Sequence, residues 1–306
     1  AAVFDTAILG SNPSAPAKSM NTLITKNNIF LKIKAKLFPF YKAKEIKDIF
    51  DILEKNQEAK KNVAMFVGGC VRKYIRNEEI DDIDIATIFS PEELKVKFKD
   101  TNIKLIESGI EHGSVTLING THKVEITTLR KDIKTDGRYA EIEFSNDWQE
   151  DSNRRDFTIN AIYLSKKGKL FDPQLGIKDL ENNIVKFIGD PVLRIEEDYL
   201  RIIRFLRFSL QYDSQIESSS LNAITLNING IKNLSKERIL SELVKIINLS
   251  NFKNIIENKP LKNIFQLIFP EFKYFERLSQ IKVLEKYFEL NTETILGILV
   301  IDNKNN

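Results

Sequence analysis

Gly68 to Thr87 reads GGCVRKYIRNEEIDDIDIAT. A Gly-Gly turn leads into a short helix and then a strand in which Ile83 and Ile85 alternate with Asp82 and Asp84. Successive strand side chains point to opposite faces, so both carboxylates share one face and the isoleucines the other. Two acids facing the same way repel unless a cation lies between them. Hard carboxylate oxygens suit Mg²⁺, which binds through one or two carboxylates plus substrate phosphates. The Gly-Gly turn lets backbone approach a phosphate closely, and the helix behind it offers free N–H groups. Either motif alone is common, the first as a plain turn and the second as a solvated strand face. In this order they describe a metal-dependent site for a nucleoside triphosphate.

Working outward, residues 42–55 place Ile46, Ile49, Phe50 and Leu53 on one helical face. Val63–Val67 is a short apolar strand entering the Gly-Gly turn. Pro91 opens a helix at a position where proline is tolerated. Strands are expected at 103–107, 114–118 and 122–128, with Asn119-Gly120 as the hairpin turn. Within the last strand Glu125 alternates with Val124 and Ile126, making it a candidate third acid. Residues 131–153 are polar and weakly periodic, which predicts a mobile loop. Ala161–Ser165 and Leu170-Phe171 flank a Lys-Lys-Gly-Lys turn, a second hairpin. After Pro191 the pattern is helical to the end.

The chain has 306 residues, 46 Lys and Arg against 43 Asp and Glu, and a net charge of +3. That length can bury a large core, and the mild charge does not by itself demand nucleic acid. No apolar run approaches the roughly 20 residues of a membrane span, so no membrane partner is expected. Cys70 is the only cysteine, which excludes an intrachain disulfide and favours a reducing, cytoplasmic compartment. Residues 1–19 show no period and no signal-peptide pattern, and translation is expected to start at Met20.

Three downstream blocks add chemistry. RRDFTINA, from Arg154 to Ala161, holds two arginines able to grip a triphosphate and Asp156 able to accept from a ribose hydroxyl. FDPQLGIKDL carries Gly176 and Asp179. FIGDPVLRIEEDYLRIIRFLRF places Glu197, Asp198, Arg201 and Arg204 on one polar stripe of a helix, with Leu200, Ile203 and Phe208 toward the core. Taken singly, these are also what surface ion pairs look like.

Together with EHGSVTLI, VEITTLRKDIKTDGRYAEIEF and LSKERILSEL, these blocks resemble the class II tRNA nucleotidyltransferases and poly(A) polymerases. The resemblance runs from about Asn62 to Phe272 and is nearest to bacterial CCA-adding members of alphaproteobacterial type. It implies an α+β fold, with a polymerase-beta-like head of mixed sheet and helices followed by an all-helical neck and body. The expected division is an N-terminal extension at 1–40, a head at 41–190, a neck at 191–250, and the start of a body at 251–306, shortened at its tail.

The resemblance also implies roles. Asp82 and Asp84 match the catalytic, metal-binding carboxylates for Mg²⁺. Gly68, Gly69 and Arg72 match the phosphate-holding motif, and Arg154, Arg155, Asp156 and Asn160 the segment that binds triphosphate and ribose. Asp198 and Arg201 match the pair that reads the Watson–Crick edge of CTP or ATP, with Glu197 and Arg204 as supports. Asp136 and Arg138 lie in the family's flexible loop and favour addition of the final A, and Glu125, read from strand alternation, stands beside them as a supporting residue. The implied reaction is two-metal, in-line addition of CCA to the 3′ end of tRNA with release of pyrophosphate.

Three departures stand out. Lys73 replaces the family's usual Asp, Ser114 replaces Thr, and members of the family usually extend well past residue 306. With only His112 and His122 present, no HD-type phosphohydrolase is expected. Addition of CC only, of A only, or of poly(A) are the neighbouring activities. IFSPEELKVKF stands where poly(A) polymerases carry a basic segment, which argues against the last of these. A non-catalytic RNA-binding relative and a small-molecule nucleotidyltransferase are the readings from other classes.

Overall fold

The computed structural model describes residues 43–57, 62–136, 139–284 and 291–300. The extension at 1–40, including a start at Met20, lies outside the described residues, as does Arg138.

Helix α1 (Lys44–Glu54) buries Ile46, Ile49, Phe50 and Leu53, the face its periodicity predicts. Strand β1 (Ala64–Val67) runs into the Gly68 turn and helix α2 (Gly69–Arg76). Strand β2 (Ile83–Thr87) follows, then helix α3 (Pro91–Phe98), closed by a Ser90–Glu93 capping box with proline in its first turn. Strands β3 (Lys104–Gly109), β4 (Ser114–Asn119) and β5 (His122–Thr128) come next. β4 and β5 pair up to Asn119 opposite His122, the hairpin expected at Asn119-Gly120.

The described residues of 131–153 are not one loop. They form strands β6 (Arg130–Asp136) and β7 (Tyr139–Phe144), paired antiparallel, and helix α4 (Trp148–Arg154). The two strands make their own two-stranded sheet. Ile133 and Phe144 stay exposed, and β6, RKDIKTD, shows no apolar alternation, whereas β7, YAEIEF, does alternate Ala140, Ile142 and Phe144 with Glu141 and Glu143. Helix α4 is cryptic for another reason: two of its buried residues, Asp151 and Ser152, are polar.

Strands β8 (Tyr163–Leu164) and β9 (Leu170–Phe171) form the second hairpin, narrower than expected. They complete a seven-stranded sheet in the order β3-β4-β5-β2-β1-β8-β9. Its parallel pair is β2 with β5, and all other neighbours are antiparallel. One face packs Phe66, Ile85, Val115, Val124 and Ile126 into the main core with α1, α2 and α3. The opposite face carries Met65, Val67 and Ala86 against Trp148, Leu129 and Tyr163. Asp84 is two residues before Ala86, so it shares that second, less covered face.

Helix α5 (Gly176–Glu181) starts where only glycine fits: a Cβ on Gly176 would lie 2.1 Å from the Thr158 carbonyl oxygen. From here the described chain is helical, through α6 (Pro191–Glu197), α7 (Leu200–Gln211), α8 (Ser218–Asn227), α9 (Lys236–Ile247), α10 (Lys259–Ile268), α11 (Arg277–Leu284) and α12 (Thr292–Val300). The EEDYLRIIR stretch is not one helix. Asp198 is extended, at φ −157° and ψ 105°, and separates α6 from α7. Its carboxylate accepts the Leu200 N–H at 3.1 Å, so it ends one helix and opens the next. No helix among the described residues is long and apolar enough to cross a membrane.

Candidate active site

The parallel register of β2 and β5 sets Asp84 directly beside Glu125. Gly68 (φ +69°) turns the backbone past Asp84: a Cβ there would lie 3.9 Å from Asp84 Oδ2 and 4.0 Å from Arg155 Nη1. An L side chain is strained at that φ and would also enter the site. Burial pushes the Asp84 carboxyl up to about 6, and Glu125 and Asp82 add to the rise against Arg155 and Arg72. Asp82 precedes β2 by one residue and is exposed. It does not line the cleft that Asp84 and Glu125 line, and reaches Asp84 through its charge.

This donor set fits Mg²⁺. Its ligands are hard oxygens whose mutual repulsion is left partly uncompensated, which is what a divalent cation relieves. Among the described residues no group of three or more His, Cys, Asp or Glu is arranged to hold a metal, so Asp82 and Asp84 would share the ion with phosphate oxygens. A pH dependence follows. Because Asp84 is raised in the fold, its ionisation costs stability above about pH 6, and protonation relieves that cost as pH falls toward its unfolded value. Mg²⁺ competes with the same proton. Added Mg²⁺ should therefore raise the melting temperature at pH 7.5 and lose that effect by pH 5. An equal shift at both values would contradict the assignment.

Arg154 and Arg155 share one buried anchor. Asp151, fully buried at the last turn of α4, accepts from Arg154 Nε at 2.8 Å, from Arg155 Nε at 3.1 Å and from the Tyr163 hydroxyl at 2.7 Å. Burial alone would raise Asp151, but the two guanidiniums overrule it and hold the carboxyl far below the usual range. Both arginines are thus fixed in place and both line the cleft. Asp156 lines it too. Its Oδ1 accepts from Asn160 at 2.6 Å and its Oδ2 from Arg204 Nη2 at 2.7 Å. Again burial is outweighed, here by Arg204 and Asn160, and the carboxyl is held well down.

Asp198, Glu197, Arg201 and Arg204 line the same cleft. Asp198 does not pair with Arg201. Its Oδ2 accepts from Arg238 Nη2 of α9 at 2.7 Å. Arg201 instead donates to Glu197 Oε2 at 2.5 Å and to the Arg194 carbonyl at 2.7 Å. The helix break takes Asp198 off the stripe expected at i, i+1, i+4 and i+7, while the i, i+4 pair of Glu197 and Arg201 forms as spaced.

Arg72 and Asn160 lie beneath the cleft and do not line it. Both are buried, and Arg72 donates to Asn160 Oδ1 and, at 3.0 Å, to the Tyr212 hydroxyl. Asp136 ends β6, and its side chain lies outside the described residues. Lys73, where the resemblance leads one to expect an acid, pairs at 2.5 Å with exposed Asp81.

Sequence reasoning missed Asp151, Arg194 and Arg238, and also Arg130 and Asp132, which pair at 3.3 Å and line the cleft. Blocks already singled out contain most of them: VEITTLRKDIKTDGRYAEIEF holds Arg130 and Asp132, FIGDPVLRIEEDYLRIIRFLRF holds Arg194, and LSKERILSEL holds Arg238. The assembled cleft is open and has a volume of about 640 Å³. Carboxylates stand on its sheet side, anchored arginines in the middle, and Asp198 with Arg201 on the helical side.

Known families, relatives and solved structures resemble this chain in sequence and fold. Residues 64–186 match the family described as poly A polymerase head domain. Residues 215–276 match the probable RNA and SrmB-binding site of polymerase A. The mitochondrial CCA tRNA nucleotidyltransferase 1 of Danio rerio is 38% identical over 231 residues, 74% of this chain and 53% of that protein. A CCA-adding enzyme of Staphylococcus epidermidis is 38% identical over 240 residues, 78% of this chain and 58% of that protein. A crystal structure of a tRNA nucleotidyltransferase with a primer tRNA and an incoming ATP analog has a TM-score of 0.59 and 26% identity, over 73% of this chain and 64% of that one. The chain spans about half the length of the curated relatives it matches. The mixed sheet with its Gly-Gly turn, the helical region behind it and both family matches lead to one placement: this chain belongs to the class II tRNA nucleotidyltransferase/poly(A) polymerase family.

Proposed function

We propose that this protein adds CCA to the 3′ end of tRNA from CTP and ATP, releasing pyrophosphate. The observation that carries the reading is a single cleft joining the Asp84–Glu125 pair to the anchored Arg154–Arg155 pair and to Asp198 and Arg201. Relatives at 38% identity are named for CCA addition, which supports the same reading.

Each part does something definite. The glycine turn leaves room for phosphate oxygens beside Asp84. Arg154 and Arg155, already oriented by Asp151, neutralise the triphosphate without reorganising. When bound at Asp82 and Asp84, Mg²⁺ supplies Lewis acidity that activates the primer hydroxyl and eases departure of pyrophosphate. Asp156, held by Asn160 and Arg204, presents a fixed acceptor for a ribose hydroxyl. Asp198 accepts from the exocyclic amino group that C and A both carry, and Arg201 donates to a ring acceptor. U and G present a carbonyl at that place, which sets an acceptor against the carboxylate and offers it no donor.

On this reading residues 41–190 form a head that performs the chemistry, residues 191–250 form a neck that reads the base, and residues from 251 begin a body. Lone, buried Cys70, its thiol pushed up to about 12 by burial, suits a reducing cytoplasm.

Nucleotide choice tests the proposal. Asp198→Ala should accept UTP and GTP at least about tenfold more readily relative to CTP and ATP, while tRNA binding changes little. An unchanged nucleotide preference in that variant would remove Asp198 from base reading.

A further inference from the structure

Arg72 is the residue whose sequence assignment and structural place disagree most. It belongs to the phosphate-turn helix, yet its guanidinium is buried and turned away from the cleft. Nε donates to the Tyr212 hydroxyl at 3.0 Å, and Nη1 donates to Asn160 Oδ1. The guanidinium carbon stands 4.7 Å from the centre of the Phe208 ring, and the Arg207 carbon stands 4.1 Å from the centre of that ring. Phe208 and Tyr212 lie parallel, within 3°, with ring centres 6.4 Å apart. From Asn160 the chain of bonds continues to Asp156 and from there to Arg204.

Arg204, Phe208 and Tyr212 fall at i, i+4 and i+8, a single stripe of α7 running on past its last turn. Arg201 precedes Arg204 by three residues on the same side. The face of α7 that meets the base is therefore continuous with the face bolted to α2 and to the segment 156–160. The triphosphate clamp is anchored on a different side chain, since Arg154 and Arg155 hang on Asp151, and it meets the strut's backbone, not its side chains, where Arg155 Nη1 donates to the Asn160 carbonyl at 3.4 Å.

We infer that Arg72, Asn160 and Tyr212 are positioning residues: they set the base-reading helix at a fixed distance from the phosphate turn and touch no nucleotide. The inference rests on the proposed nucleotidyl transfer and adds to it a cause for base selection that lies outside the cleft. Loosening the strut should shift Arg201 and Asp198 against the base while leaving the triphosphate hold intact. A guanidinium that holds a phosphate directly would behave oppositely, weakening every nucleotide and pyrophosphate alike. Lysine separates the two roles, because it keeps the charge and loses the fork that spans Tyr212 and Asn160.

The test is equilibrium binding of CTP, UTP and inorganic pyrophosphate, each with Mg²⁺, to the full chain and to Arg72→Lys and Tyr212→Phe. Thermal melting of each variant accompanies it. The expected result in Arg72→Lys is a CTP-over-UTP preference narrowed by about tenfold, within the ~100-fold that an ångström of misplacement can cost. Pyrophosphate affinity should stay within about twofold of the wild type. Tyr212→Phe, which removes one hydroxyl and keeps the ring, should move the preference the same way by less. It decides the matter where Arg72→Lys fails to fold. Equal weakening of all three ligands with the preference intact would make Arg72 a phosphate contact and overturn the inference. So would an unaltered preference in both variants. A wild type that binds CTP and UTP alike would sink the proposed function, and the inference with it.

Discussion

Asp84→Asn is expected to abolish nucleotide incorporation, by at least about a thousandfold, in a protein that folds better than the wild type. The two effects have one cause. Asp84 is pushed up to about 6 by burial and by the charges of Glu125 and Asp82, so its ionised form is a standing cost above that pH. Asparagine keeps the shape and removes the charge, which should raise the melting temperature at pH 8 without Mg²⁺. The same change removes the ionic ligand through which the metal supplies its Lewis acidity. Mg²⁺ should then no longer stabilise the protein. Melting curves with and without Mg²⁺, set beside single-turnover incorporation, read both halves. Wild-type turnover, or a lower melting temperature at pH 8 without the metal, would contradict the role given to Asp84.

Asp151→Ala should be the most damaging single change to stability among the cleft's supports. The carboxylate is fully buried and binds Arg154, Arg155 and the Tyr163 hydroxyl. Its loss leaves two largely buried guanidiniums without their counter-charge, for which roughly 3–5 kcal/mol is typical. Here the pH sign is opposite to that of Asp84. Asp151 lies far below its unfolded value, so its contribution is complete above the ordinary carboxylate range and is lost as pH falls toward the folded value. Asp151→Asn should therefore lose less stability than the wild type on acidification. Urea titration at neutral and acid pH measures both effects. A cost for Asp151→Ala below about 1 kcal/mol, the ordinary effect of a point change, would show that the anchor is not needed.

What could be read from the chain alone follows a physical division. Local periodicity reports which face of an element is buried. It therefore revealed the α1 face, the Ile–Asp alternation of β2, the β4–β5 turn and the start of α3 at Pro91. It failed where the buried face is polar, as in α4, and where a strand pairs without being covered, as in β6, although in β7 the alternation of Ala140, Ile142 and Phe144 with Glu141 and Glu143 was there to be read. The parallel placement of β2 beside β5, which puts Glu125 next to Asp84, is a matter of topology and leaves no mark at sequence spacing.

The site shows the same division. Asp84, Arg154, Arg155 and Asp156 carry residue types that declare their chemistry, and the fold brings them to one cleft. Their partners did not declare themselves. Arg238 meets Asp198 from 40 residues away, and Arg72 meets Tyr212 from 140. Such pairs have no period. Charge spacing suggested one continuous helix through Asp198, whereas the helix breaks at that residue, whose side chain bonds to the backbone ahead.

The most direct test of CCA addition is incorporation into a tRNA transcript that lacks the terminal CCA. It is run with Mg²⁺ and with each nucleotide separately and together, and resolved to single residues on a sequencing gel. Three added residues, requiring CTP for the first two and ATP for the third, is the predicted result. A stop after two residues, a ladder of A, or no extension with either nucleotide would contradict it.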